Sequence, residues 1–234
     1  TNNGDGNLSY AISVVPPLKK ADLSKYVSDA TVTAEKVIRP EKREMGINYT
    51  PVDNKEAAVI NYDGDYSANG IGTGGAASFM CAARFTAEEL ADYYGTHSLT
   101  ELHFVIHQAN YSNVTVKVWE GGTFNDYYMD PGMEVYSYDV TDSVVVADWT
   151  IHEMMHPVPL HAGVEYWIGY AIDATSGHPA AVDAGPAVPA KGDLMFFNGA
   201  WIEISTSFGL DFNWNIRGMV DDAVMPDMWL NAIS

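Results

Sequence analysis

The segment from Trp149 to Tyr170, WTIHEMMHPVPLHAGVEYWIGY, limits the folds open to this chain more than any other stretch. It contains His152-Glu153-Met154-Met155-His156, the HExxH pattern of zinc hydrolases. That pattern works only on a helix. At about 1.5 Å rise per residue, two histidines four positions apart lie roughly 6 Å apart on one helix face. They can then share a Zn²⁺ at about 2.0–2.1 Å per bond, with the glutamate beside them as general base. On a strand, at about 3.3 Å per residue, the same step spans roughly 13 Å. Secondary structure therefore decides between a hydrolase and something else.

The prolines decide the secondary structure. Pro157 follows His156 directly and Pro159 comes two residues later. A residue before proline is pushed out of the α region, so a helix here could run only from about Asp148 to Met155. The longer zinc pattern, HExxHxxGxxH, would need glycine at 159 and histidine at 162. The chain has Pro159 and Ala162, and His161 comes one residue early. The segment reads instead as a β-hairpin: two apolar runs, MHPVPL and VEYWIGYAI, around a His161-Ala162-Gly163 turn. A zinc hydrolase with His152 and His156 as ligands and Glu153 as base remains the alternative reading.

Composition agrees with β structure. The 234 residues include fourteen tyrosines and six tryptophans, residues that suit half-buried strands. No run of about 18 apolar residues is present, so no transmembrane helix is expected. The single cysteine, Cys81, sits in the apolar run SFMCAARF and reads as a core thiol. The net charge is −19 and uneven: residues 1–46 are nearly balanced, whereas residues 47–234 carry a net of −20. Such a surface repels phosphate backbones, which excludes nucleic-acid binding. The shift near Gly46 marks the expected boundary between an N-terminal segment, 1–46 (a linker or small separate unit), and a domain spanning 47–234.

Along the chain, LSYAISV (8–14), AAVINY (57–62), 78–85, 99–107, 114–120, 134–140, 144–147, the opening hairpin, LMFF, AWIEI and NWNIRGMV read as strands. In 99–107, Leu102, Phe104 and Ile106 alternate with His103, Val105 and His107. Val114, Val116 and Val118 line up in the same way. Asn198-Gly199 suits a type I′ hairpin turn. Thr86 and Glu89 form a capping box expected to open one short helix through Tyr94. Residues 63–75 read as a glycine-rich loop, and 121–132 as a long loop carrying Phe124, Tyr127 and Tyr128. Regularly spaced strands with turns between them predict an all-β fold, an antiparallel jelly-roll-like β-sandwich with one short helix and long loops.

An ordered series of phrases extends this reading. NYDGDYSANGIGTGG, AARFTAEELADYYG, LTELHFVI, VTVKVWEGG, EVYSYDV, EYWIGY, AAVDAGPAVPAKGDLMF and NWNIRG follow one another between about residues 57 and 220. In this order the chain resembles the secreted jelly-roll modules of surface proteins and secreted proteases of Bacteroidetes-type bacteria. The resemblance implies a secreted or cell-surface location and an adhesion, glycan-binding or accessory role. It carries over no site residues.

Candidate sites come from residue chemistry. Exposed aromatic rings lower the cost of burying sugar C–H surface. Tyr127 and Tyr128, beside Asp126 and Asp130, and Trp201, next to the Asn-Gly turn, are the glycan-binding candidates. Asp63 and Asp65 flank Gly64 at a strand end and are the candidates for a structural Ca²⁺. Asn3, Asp5 and Asn7 fall at the first positions of a Ca²⁺ loop, but Leu8 and Val14 stand where that loop needs glycine and glutamate. The expected function is a non-catalytic extracellular binding or adhesion module whose partner is a glycan or a cell-surface protein. A purely structural spacer is the further alternative.

Overall fold

Side-chain parity decides which face of each strand turns inward. Phe79, Cys81, Ala83 and Phe85 alternate along one strand, as do Tyr166, Ile168, Tyr170 and Ile172 along its neighbour, and all are buried in one core. The computed structural model describes residues 23–38, 46–51, 57–125 and 128–222. Expectations on residues 3–14 and on Asp126 and Tyr127 fall outside them.

The strands in chain order are β1 (Thr33–Ala34), β2 (Asn48–Pro51), β3 (Ala58–Asn61), β4 (Asn69–Gly72), β5 (Ala77–Phe85), β6 (His97–Val105) and β7 (Tyr111–Asn125). They continue with β8 (Tyr128–Asp139), β9 (Trp149–Pro159), β10 (Tyr166–Ala174), β11 (Ala180–Val182), β12 (Leu194–Phe197), β13 (Ala200–Glu203) and β14 (Ile216–Asp222). A six-stranded sheet runs β13-β12-β5-β10-β7-β8, a five-stranded sheet β2-β3-β14-β6-β9, and a small sheet β1-β4-β11. The eight strands β3, β5 to β10 and β14 follow jelly-roll order. The first, eighth, third and sixth of them lie in one sheet, and the second, seventh, fourth and fifth in the other. The fold is an all-β sandwich with little helix.

The core lies between the sheets. Phe104 of β6 meets Tyr170 of β10 across it, with ring centroids 5.3 Å apart. Gly218 of β14 turns into the same space: a Cβ there would stand 2.7 Å from Leu99 Cδ1 and 3.1 Å from Ile168 Cδ1 of the facing sheet. Each fully buried large apolar side chain contributes about 1.5–3 kcal/mol.

Several details differ from the sequence reading. The capping box forms: Glu89 Oε2 accepts the Thr86 amide at 2.9 Å, and the Glu89 amide donates to Thr86 Oγ1 at 3.3 Å. Yet the segment is a series of turns with a 3₁₀ turn at Ala91–Tyr93, because Tyr94 already has extended ψ. A cap alone does not offset the cost of helix nucleation over so few residues. The α-helix is α1 (Ile204–Phe208), closed by Gly209 at φ 68°. The expected glycine-rich loop contains β4. Gly70 and Gly72 sit so close to neighbouring backbone that a Cβ would stand 2.2 Å from His178 O and 2.3 Å from Gly177 O, respectively. These glycines permit close backbone approach within a strand. Likewise the expected long loop at 121–132 is the far half of the β7–β8 hairpin. Gly132 takes φ 84° there, with no room for a Cβ beside Glu120 O.

Residues 23–38 of the N-terminal segment lie against the sandwich. Val32 joins the central core, β1 pairs with β4, and Tyr26 is buried on the outer face of the six-stranded sheet.

Candidate functional site

The outer face of the six-stranded sheet is apolar, although a sheet face turned to water is normally polar. Met80 and Ala82 of β5, Trp167 and Ala171 of β10, Trp119 of β7, and Leu194 and Phe196 of β12 form a second buried cluster there, joined by Tyr26. Trp201 of β13 and Met129 and Phe124 of the β7–β8 hairpin pack against it half-buried.

Strand register arranges these side chains in rows. One row crosses the sheet as Trp201, Phe196, Met80, Ala171 and Thr115. The next runs Leu194, Ala82, Gly169 and Lys117, and the third pairs Arg84 with Trp167 and Trp119. In the first row the small Ala171 and Thr115 follow the bulky Met80 and Phe196, and in the second Ala82 and Gly169 sit between Leu194 and Lys117. The result is a groove of about 800 Å³. Its lining includes Tyr26, Trp119, Trp201 and Tyr128, with Lys117 and Glu134 among its polar groups.

Trp201 is the hub of the aromatic arrangement. Its ring meets Trp119 at 5.6 Å, Trp167 at 5.2 Å and Phe196 at 5.6 Å between centroids, all tilted edge to face. Such packing fixes the ring and leaves part of it open to solvent. Trp167 donates its indole N–H to Glu165 Oε1 at 2.9 Å. The indole N–H groups of Trp119 and Trp201 have no acceptor among the described residues.

The polar groups of the groove are held in pairs. Lys117 Nζ donates to Glu134 Oε2 at 2.6 Å and to Ser137 Oγ at 3.2 Å. Lys25 Nζ meets Asp173 Oδ1 at 3.0 Å. Burial tends to lower the Lys25 pKa, but the hydrogen bond to Asp173 together with the interactions with Tyr26 and the Asp173 charge outweighs it, so the ammonium is held above its ordinary range. Tyr128 donates its hydroxyl to Asp130 Oδ2 at 2.9 Å, while Asp130 Oδ1 accepts the Gly132 amide at 2.9 Å. The hydrogen bond to Asp130 raises the Tyr128 pKa.

Two sequence candidates far apart in the chain, Tyr128 and Trp201, thus line one groove. Tyr128 opens a strand instead of sitting in a loop, and it is exposed. Tyr26, Lys117, Trp119 and Glu134 were not foreseen. For Trp119 the signal was present: it is out of phase with Val114, Val116 and Val118, so the inward run of valines turns it outward.

The calcium candidates behave otherwise. Asp63 is buried and spends its carboxylate inside the protein. Arg217 donates at 2.9 Å and 3.1 Å, Asn215 at 2.9 Å and Asn61 at 2.7 Å. Burial raises its pKa, and the Arg217 guanidinium opposes that rise. Asp65 is exposed. Among the described residues, no group of three or more His, Cys, Asp or Glu side chains could hold a metal ion. Asp63, one of the two residues expected at a Ca²⁺ site, thus sits in an ion pair with Arg217.

HEMMH lies on β9, paired with β6. His152 Nε2 is hydrogen-bonded to the Tyr136 hydroxyl at 2.8 Å, and its ring stacks on Tyr138 at 5.0 Å. Burial lowers its pKa. His156 is exposed. The helical spacing that two zinc-binding histidines require is not formed here.

The chain matches no protein-family model and no curated protein. Among the described residues, no helix is long and apolar enough to cross a membrane.

Proposed function

We propose that the chain is a non-catalytic binding or adhesion module of a secreted or surface-exposed bacterial protein, and that the groove on the outer face of its six-stranded sheet holds a glycan. The observation that carries this reading is the meeting of Trp201 and Tyr128 in one concavity, over a floor that includes Ala171 and Thr115 and beside paired polar side chains. Sugars present apolar C–H faces and hydroxyl edges together. A partly open indole suits the first, and the Lys117–Glu134 pair suits the second. The resemblance to secreted jelly-roll modules supports the location and the adhesive role.

The test is binding of the purified chain to a glycan array, followed by calorimetry on the hits. Trp201→Ala is expected to weaken binding at least about tenfold, the loss of an aromatic anchor worth about 1.4 kcal/mol or more. Tyr128→Ala is expected to weaken it less, because that ring is more mobile in solvent. Binding unchanged in both variants would overturn the assignment of the groove.

A further inference from the structure

The charges in the groove point to a narrower class of ligand, and this step rests on reading the groove as a glycan site. Both of its ammonium groups are already neutralised. Lys117 is held by Glu134 at 2.6 Å, and Lys25 by Asp173 at 3.0 Å. Its remaining carboxylate, Asp130, is occupied on both oxygens, by the Gly132 amide and the Tyr128 hydroxyl. Both donors on Asp130 are neutral, so it keeps its negative charge, and no unpaired positive charge is presented to a ligand by these five groups. An anionic sugar would have to displace Glu134 or Asp173 from its lysine. It would do so within the field of a chain carrying −19, which lowers the local concentration of anions.

A polyol meets neither obstacle. A hydroxyl can accept from Lys117 Nζ and donate to Glu134 Oε2 without breaking the pair. A donor and an acceptor this close together match the vicinal hydroxyls of a pyranose ring. Trp119 and Trp201 line the same groove and add aromatic surface beside these polar groups. We infer that the groove selects uncharged glycans, with Trp201 stacking on a sugar face and the Lys117–Glu134 pair reading adjacent hydroxyls, and that it rejects uronic, sialylated and sulfated chains.

The test uses matched probes on the whole chain: neutral oligosaccharides, each beside its sialylated, sulfated or uronate counterpart, measured by calorimetry. The wild type is expected to bind the neutral member at least about tenfold more tightly. Glu134→Gln removes the countercharge and leaves Lys117 able to meet an anion. Its side chain is well exposed, so the fold should persist, and a melting curve checks that. This variant is expected to narrow the neutral-to-anionic ratio by about tenfold, through weaker neutral binding, stronger anionic binding, or both. If anionic probes bind as well as neutral ones, and Trp201→Ala abolishes that binding, the glycan site stands and the selectivity for uncharged chains is refuted. If Glu134→Gln leaves the ratio unchanged, the role of the pair is refuted. If no probe of either kind binds the wild type, both readings fail.

Discussion

Asp193 offers a stability test in which structure sets both sign and size. It precedes β12, is buried, and accepts from the Ser205 hydroxyl and, at 3.3 Å, the Ser205 amide, both at Oδ2. Oδ1 has no hydrogen-bond partner; the Ala190 amide lies near it but outside hydrogen-bond geometry. Burial pushes the carboxyl from its ordinary 3.8 up to about 6, with Ser205 opposing the rise and Glu203 adding to it. Because the folded-state pKa is raised, the native chain holds this proton longer than the unfolded chain does. The contribution of this carboxyl to stability is greatest below about pH 3.8, falls as pH rises from there to about 6, and is flat above. The full loss is about 3 kcal/mol, at about 1.36 kcal/mol per pKa unit. Asp193→Asn removes the titration and keeps an oxygen to accept from Ser205. Between about pH 4.5 and pH 7.5, the variant should gain about 2 kcal/mol relative to wild type. That corresponds to roughly 4–8 °C in Tm for a chain of this size. Denaturant melts of both proteins at the two pH values measure it. Any constant cost of the substitution cancels in the comparison. A stability difference that does not change with pH would show that Asp193 titrates normally and that its burial has been misread.

Two further outcomes follow from the buried polar groups and from β9. Arg217→Ala leaves the fully buried Asp63 without its guanidinium and should cost about 3–5 kcal/mol in chemical denaturation, with Asp63→Asn in the same background recovering part of the loss. A loss under about 1 kcal/mol would mean that Asn61 and Asn215 alone hold Asp63. His152 and His156, set apart on a strand, should bind no stoichiometric zinc: metal analysis of the purified chain should find the same trace content in wild type and His152→Ala. One zinc per chain, lost in the variant, would restore the hydrolase reading.

The parts of the fold that were legible in the sequence are those where one face is wet and the other dry. Alternation in 99–107 and 114–120, and the Asn198-Gly199 turn with φ 52° and 81°, come through directly because period two and positive φ leave marks on residue type. The prolines after HEMMH work in the same way, since Pro157 removes the α region for His156. What was illegible depended on close approach. Gly70 and Gly72 look like loop glycines until His178 and Gly177 are seen against them, and Gly132 until Glu120 is. The partner that makes each glycine necessary lies elsewhere in the chain, and hydropathy does not record it. The surroundings of Asp63 are hidden for a related reason: Arg217, which faces its carboxylate, lies more than 150 residues later in the chain.

The groove was half legible for a reason that bears on its function. In the sequence Tyr128 and Trp201 stand out only as lone aromatics near turns, a weak signal. The stronger one is distributed. β5, β7, β10 and β12 each place apolar groups on both parities: Met80 and Ala82 against Phe79 and Cys81, Trp119 against Val118, Trp167 against Ile168, Leu194 and Phe196 against Met195 and Phe197. A sheet whose strands are apolar on both parities must be covered on both faces or use the uncovered one. The five-stranded sheet covers the inner face. On the outer face the segment around Tyr26 covers part, tied down by the Lys25–Asp173 pair and by the Asn198 amide, which donates to Tyr26 O at 2.9 Å. Leu23, Lys25 and Tyr26 of that segment line the groove together with Trp201, whose ring is half-buried, so the segment that covers part of the apolar face also forms a wall of the groove.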